Sequence, residues 1–280
     1  MKHRSACDIL LTGAAGRLAQ CIGQMCDGGG TAPLVVKVSR GKSGDLQWCP
    51  GTPTDMLPRC DTIIALWGIT AGDPAALAGN SRLAETAHDL AIRLGARRVL
   101  HMSSAGVYGP GIDMTEDATK PRPVTQYGLA KLQMEHRVAQ LARKGPVAHC
   151  CLRLANVVGA DSLSAALTGH NTAHLDRFPD GHGPVRSYIA PRMLTRVLAG
   201  LAALPPDHLP TILNVAARTP VGMADLLHAA GRMISWRDAP TEAVQTVTLD
   251  VTRLAGLLPA VGLDADATAM IEDLTTTQAG

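Results

Sequence analysis

The 280 residues predict an α/β protein: a doubly wound parallel sheet over the first half, followed by a small C-terminal substrate-binding lobe. Three observations carry this expectation. From residue 6 to about residue 155, short β-branched or leucine-rich runs alternate with longer stretches of helical period, as in a parallel sheet covered on both faces. A strand-like Ile9-Leu10-Leu11 runs straight into a glycine turn, T-G-A-A-G-R-L-A over 12–19, and then into a helix. Beyond residue 156 the periodicity weakens and loops rich in Gly and Pro appear near 179–184 and 204–210. The expected units are therefore 1–156 and 157–280, with some of the second returning to the sheet.

Strands are expected at 7–12, 33–39, 61–67, 97–103 and 147–154. The stretch from Gly41 to Arg59 is too short for a full crossover helix and strand, so a third strand is abbreviated around Leu46 to Cys49. Leu18, Ile22 and Met25 share a face of the helix after the glycine turn. Asp73 caps the next helix and Pro74 takes its first turn, with Leu77, Ala84, Ala87, Ala91 and Leu94 along one face. A further helix from about Val124 to Arg143 carries Tyr127, Lys131, Met134 and Val138. Later elements are a strand from Ile212 to Ala216, a helix near 222–231 and a strand near 244–250.

Composition narrows the function classes. The 26 basic residues nearly cancel the 24 acidic ones, which implies no bulk attraction to nucleic acid or an anionic membrane. The apolar run from Ile9 to Thr12 is too short for a signal segment, and no stretch reaches the roughly 20 residues of a membrane span. A cytoplasmic location is expected. Seven cysteines without a Cys-x-x-Cys pair read as buried small hydrophobes in a reducing compartment. Ten scattered histidines offer no metal-ligand spacing, and His101 on its strand reads as a satisfied buried histidine.

In the glycine turn, Gly13 permits the tight bend, Gly16 lets a pyrophosphate approach the backbone, and the small Ala19 lets the helix pack closely. A dinucleotide site is expected there. At the end of the second strand, where NAD asks for a carboxylate, stand Lys37, Ser39 and Arg40, with no acid until Asp45. A hydroxyl and a guanidinium suit a 2′-phosphate, so NADP is expected, with NAD the alternative.

Tyr127 and Lys131 are four apart on one helix face. A tyrosine of ordinary pKa near 10 needs a shift of about 3 units to act as a base near neutrality, and a nearby lysine cation favours its phenolate. The segment S-S-A-G-V-Y-G over 103–109 puts the Ser104 hydroxyl at the carboxyl edge of the sheet, where it can hold a substrate oxygen while Tyr127 moves the proton.

Together with Asn80, R-L-A-N-V-V-G-A at 153–160, G-P-V-R-S-Y-I at 183–189 and L-N-V-A at 213–216, these motifs are similar to those of the NAD-dependent epimerase/dehydratase family of extended short-chain dehydrogenases/reductases. The resemblance covers nearly the whole chain and implies a Rossmann-type fold. It implies Ser104, Tyr127 and Lys131 as the catalytic trio, with Lys131 also bonding the nicotinamide ribose. Cofactor contacts implied are Gly13, Ala15, Gly16, Arg17, Leu18, Ser39, Arg40, Leu66, Gly68, Tyr127, Lys131 and Leu154. Ser104, Asn156 and Arg186 match substrate-holding positions, and family members commonly pair as homodimers through the Tyr–Lys helix.

Departures from the pattern refine the expectation. Ser104-Ala105-Gly106 lacks the acidic pair of dehydratases, so elimination chemistry has no acid and base. Where the family has a histidine and an acidic pair stand Ala190-Pro191-Arg192-Met193. One Phe, three Tyr and three Trp leave few rings to stack on a nucleobase, with Phe178 and Tyr188 the candidates. The expected function is an NAD(P)-dependent oxidoreductase or epimerase acting on a hydroxyl or keto carbon of a sugar, sugar nucleotide or polar ketone. The alternative is a catalytically silent NAD(P)-sensing regulatory or assembly protein on the same fold.

Overall fold

The computed structural model describes residues 6–22, 33–169 and 172–279. Its central sheet joins β1 (Cys7–Thr12), β2 (Val35–Ser39), β3 (Leu46–Gln47), β4 (Cys60–Ala65), β5 (Arg98–Met102), β6 (Ala148–Leu154) and β11 (Ile212–Val215). All seven run parallel, in the order β11-β6-β5-β4-β1-β2-β3. The strand order reverses beside β1, and the carboxyl ends of β1 and β4 flank the crevice where open α/β sheets bind ligands. Burial on both faces explains the near-continuous apolar runs: Leu10, Ile63, Ile64, Val99, Leu100, Cys150 and Leu152 are sealed from solvent.

The helix α1 (Arg17–Cys21) opens at Gly16, and Met25 lies outside the described residues. The helix expected from Asp73 onward is two: α2 (Pro74–Leu77) and α3 (Gly79–Leu94). Asp73 does cap, its Oδ1 accepting from the Ala76 N–H at 2.7 Å. The break arises because the Asn80 amide donates to the Leu77 carbonyl at 2.8 Å, while the Ser81 N–H turns to Ala78. Along α3 the expected face holds, with Ala87, Leu90, Ala91 and Leu94 packed on Leu10, Ile63 and Val99. Next to α3 lies α4 (Gln126–Ala142).

The opposite face is covered by an element the sequence reading did not anticipate, α6 (Pro191–Ala203), whose Leu194, Val197, Leu198 and Leu201 are fully buried among Ile9, Leu11, Leu100 and Leu152. Arg98, almost wholly buried, ties sheet to helix by donating to the Ala202 carbonyl, to Thr62 Oγ1 at 3.0 Å and to Asp61 at 2.7 Å. Thr195 of α6 donates to the Ile22 carbonyl at 2.8 Å.

The rest of the lobe is short. It comprises β7 (Asn156–Val157), α5 (Ser164–Thr168), β8 (Ala173–Arg177), β9 (Val185–Arg186), β10 (Tyr188–Ile189), β12 (Val221–Gly222), α7 (Met223–Ala229), β13 (Ile234–Asp238), β14 (Thr246–Val247), α8 (Thr252–Leu257) and α9 (Ala267–Ala279). Small ladders pair β10 with β7, β13 with β8, and β12-β9-β14. The strand expected at 244–250 shrinks to β14 and one bridge from Leu249 to Met114. No helix of the described residues is long and apolar enough to cross a membrane.

Candidate active site

The glycine turn leaves β1 at the crevice. Gly13 has φ +77°, and a Cβ there would lie 2.5 Å from the Trp67 nitrogen, so only glycine lets this turn rest on the chain leaving β4. Gly16 has an ordinary φ of −76° and no contact beyond the Gly13 carbonyl, so its torsion does not require glycine. An open approach to the backbone accounts for it better. Among the described residues, the N–H groups of Ala15, Arg17 and Leu18 have no protein acceptor, and the buried Thr12 Oγ1 beside them has no partner. Unpaired donors around a turn left open at Gly16 fit a dinucleotide pyrophosphate.

At the end of β2, the buried Ser39 hydroxyl donates to the Gly41 carbonyl at 2.7 Å, whereas Arg40 is exposed and its guanidinium makes no bond among the described residues. Asp45, the first acid, accepts from the Lys37 N–H at 2.8 Å and so closes its own loop.

Ser103 and Ser104 follow β5. Ser104 caps a short 3₁₀ turn over 105–107, its Oγ accepting from the Gly106 N–H at 3.1 Å, which leaves its own O–H to donate. Thr125 caps α4 by accepting from the Gly128 N–H at 3.0 Å. A Cβ on Gly128 would overlap the Gly106 carbonyl, so this glycine seats the first turn of α4, with Tyr127, against the Ser104 loop. Burial pushes the Tyr127 phenol above its ordinary pKa, opposed by a side-chain hydrogen bond with Ser104. Lys131, one turn on, is buried and donates to the Met102 carbonyl at 2.8 Å, with Nζ 5.7 Å from the centre of the Tyr127 ring. Desolvation brings its ammonium down to about 8. The shift on Tyr127 is thus opposite to the expected one, because the ammonium is turned to a carbonyl and burial dominates the phenol.

Ser104, Asn156, Arg186 and Leu154 share a cavity of about 400 Å³ with Thr125, Ser187 and an apolar wall that includes Pro110, Val124, Val244, Val247 and Leu249. Among the described residues no aromatic ring lines it. Phe178 is buried elsewhere, and Tyr188 is sealed with its hydroxyl donating to Asp161 at 2.8 Å, so neither candidate ring faces the cavity. Arg186 donates to the carbonyls of Val185, Val244 and Gln245 at 2.6–2.8 Å, and burial lowers its pKa. Thr125, Ser187 and the 244–249 wall were not singled out from sequence; only the fold brings them to the cavity.

Below the site a polar network fixes the geometry. Ser103 Oγ donates to Glu135 at 2.6 Å, and Arg153 grips the same carboxylate at 2.7 and 3.1 Å. The Arg153 guanidinium lies 4.5 Å from the centre of the Tyr108 ring, and Tyr108 donates to Asn214 at 2.8 Å. Glu116 accepts from the Asn214 N–H at 2.8 Å. Both glutamates are thus anchors of the network.

A dinucleotide turn at the switch point, with serine, tyrosine and lysine at the carboxyl edge, defines an NAD-dependent enzyme of the extended short-chain dehydrogenase/reductase type. The chain belongs to the NAD dependent epimerase/dehydratase family, whose model matches residues 9–186. The fold is similar to that of UDP-N-acetylglucosamine 4-epimerase from Bacillus cereus, at 15% identity and a TM-score of 0.76 over 98% of this chain and 100% of that one. It is also similar to UDP-glucose-4-epimerase from Stenotrophomonas maltophila with bound NAD and formylated UDP-arabinopyranose, at 19% identity and 0.76 over 98% of each chain. MoeE5 in complex with UDP-glucuronic acid and NAD matches at 21% identity and 0.73 over 97% of this chain and 99% of that one. No sequence among the curated proteins matches.

Proposed function

We propose that this chain is an NADP-dependent oxidoreductase or epimerase that acts on a hydroxyl or keto carbon of a sugar-like or similarly polar small molecule. The observation that carries the reading is the seating of Tyr127, through Gly128, against the Ser104 loop, with Ser104 lining a cavity of about 400 Å³ and Lys131 one turn behind Tyr127. The Ser104 hydroxyl donates to the substrate oxygen, Tyr127 gives or takes the proton on that oxygen, and Lys131 holds the charge that forms on the phenol. A bound nicotinamide dinucleotide supplies the hydride exchange. Ala15, Gly16, Arg17 and Leu18 hold its pyrophosphate; Leu66, Gly68 and Leu154 border it; Lys131 also bonds its ribose. The free guanidinium of Arg40 favours NADP, with Ser39 beside it.

Asn156 and Arg186 hold the far end of the substrate. The relatives' complexes contain sugar nucleotides, but this cavity offers no ring for a base, and a diphosphate would compete with three carbonyls for Arg186. A smaller polar alcohol or ketone fits better. The cavity divides the proposed units, with Ser104 from 1–156 and Arg186 from 157–280. We further infer a cytoplasmic homodimer, consistent with Leu129 of α4 and Ile92 of α3 standing exposed.

The test is a screen of small ketones, aldehydes and UDP-glucose with NADPH and NADH, followed by Tyr127→Phe. Turnover lost with cofactor binding retained supports the proposal. Full turnover in Tyr127→Phe overturns the role given to Tyr127, and no turnover with any probe despite cofactor binding turns the reading to a silent sensor.

A further inference from the structure

The lining of the cavity beside Ser104 is one-sided in its hydrogen bonding. Each of its three hydroxyl oxygens already accepts a backbone N–H: Ser104 from Gly106 at 3.1 Å, Thr125 from Gly128 at 3.0 Å, and Ser187 from Leu249 at 2.9 Å. Their hydrogens are what they have left to offer. The Ser104 O–H serves the reacting oxygen, while those of Thr125 and Ser187 meet no acceptor among the described residues. No Asp or Glu among the described residues lines the cavity, so its side chains present donors and no anion.

Arg186 is the charged residue of that lining. A guanidinium carries five N–H groups. Both on Nη1 go to the carbonyls of Val185 and Gln245, at 2.7 and 2.6 Å, and one on Nη2 goes to Val244 at 2.8 Å. One Nη2 hydrogen and the Nε–H remain, on the same edge of the guanidinium. The buried guanidinium nitrogens without a partner among the described residues are Arg98 Nε and Arg153 Nη1, so Arg186 Nε opens onto space. The fully buried Arg98 and Arg153 each have a carboxylate, Asp61 and Glu135. Arg186, half-buried, has none among the described residues; burial works against its charge, and only the Tyr188 phenol works for it.

A guanidinium without a counter-ion, with the Nε/Nη2 edge free, presents the fork that a carboxylate takes with both oxygens. One cation balances one negative charge, which a carboxylate carries and a diphosphate exceeds. The apolar wall of Pro110, Val124, Val244, Val247 and Leu249 suits a short carbon skeleton between the two polar ends. We propose that the substrate is a hydroxy or keto acid whose carboxylate is held by Arg186 and Ser187 while its reacting oxygen lies at Ser104; the proposal deepens the Ser104/Tyr127 reading and rests on it.

Arg186 donates one N–H to each carboxylate oxygen, and the Ser187 O–H adds a third donor. The carboxylate is a handle and is not altered. In the reducing direction the keto carbon gains a hydride from NADPH and its oxygen gains the Tyr127 proton, leaving a hydroxy acid, NADP⁺ and a phenolate that regains its proton from solvent.

Binding tests this apart from turnover. Desalted protein saturated with its preferred dinucleotide in the reduced form is titrated calorimetrically with gluconate, lactate and hydroxybutyrate, each against its own uncharged amide, and with UDP-glucose and inorganic phosphate. At least one acid is expected to bind about tenfold to a hundredfold more tightly than its amide, the usual worth of a charge-assisted pair. Arg186→Lys keeps the charge and loses the fork, so the preference should fall to about threefold or less. Ser187→Ala leaves the Arg186 bonds to the 244–245 backbone in place and serves should the first variant not fold; it too should narrow the preference. A merely structural loss would weaken acid and amide alike and leave their ratio unchanged, which in both variants overturns the proposal. Acids no tighter than their amides, or UDP-glucose or phosphate tighter than every acid, overturn it as well. The reading beneath fails separately: Tyr127→Phe with full turnover of the preferred acid removes the role of Tyr127 while the acid preference persists.

Discussion

Lys131 is a catalytic-site residue whose charge the fold alters. Its ammonium is held at about 8 against an ordinary 10.5, so between those values the unfolded chain binds a proton that the folded one releases. Stability from this group therefore rises with pH across that window and is lost as pH falls through it. The 2.5-unit difference corresponds to about 3 kcal/mol. Thermal unfolding of wild type and Lys131→Met should show the wild type gaining on the variant by that order between pH 7 and 10.5; a constant gap contradicts the buried ammonium. His149, held at about 4 against 6.5, loses stability as pH drops through that lower window. Glu135 answers for another buried charge. Glu135→Ala leaves Arg153 unpaired with both side chains 3% exposed, and a loss of about 3–5 kcal/mol is expected by denaturant titration. At Gly13, alanine would be strained by about 1–3 kcal/mol, and a stability unchanged from wild type would contradict the tight turn on Trp67.

Among the elements, α4 carries the most of the site, and Thr125 starts it. Thr125→Ala should cost about 1 kcal/mol by thermal melt, and Thr125→Ser should restore most of it. The long elements were legible in sequence because each carried its own signal. Most strand runs ended at Gly or Ser, Asp73 stood before a helical period, and the glycine turn followed β1. The two-residue strands of the lobe carry no period, and their ladders form only by tertiary pairing. The α6 helix has a readable signal, Pro191 at its first turn and Met193, Leu194, Val197, Leu198 and Leu201 at three- and four-residue spacing, and its first turn falls in the stretch that departs from the family pattern. The split between α2 and α3 depends on one side chain, Asn80, whose bond to Leu77 no local pattern announces. Likewise, Ser104, Tyr127 and Lys131 sat in recognisable motifs, while His88, His101 and His149 meet only because β5 and β6 are adjacent beneath α3.

Across the whole molecule, elements beyond residue 156 pack on the sheet of the first half. β11 pairs along β6, and α6 buries four large side chains against strands of the first half. A fragment of residues 1–156 would expose that face and the edge of β6. It is expected to lack a cooperative melt and a dispersed NMR spectrum; a fragment that folds on its own would show that the second half is dispensable for the sheet. The cavity depends on the same joining, since Ser104 and Asn156 face Arg186, Val247 and Leu249 across it.

The central claim is that the turn from Gly13 to Leu18, with Arg40 beside it, holds a nicotinamide dinucleotide for chemistry at Tyr127. Calorimetric titration of desalted protein with NADPH and then NADH tests it most directly. One site per chain, tighter for NADPH, with the preference removed in Arg40→Ala, is the predicted result; binding of neither cofactor to protein shown free of retained dinucleotide would contradict the account.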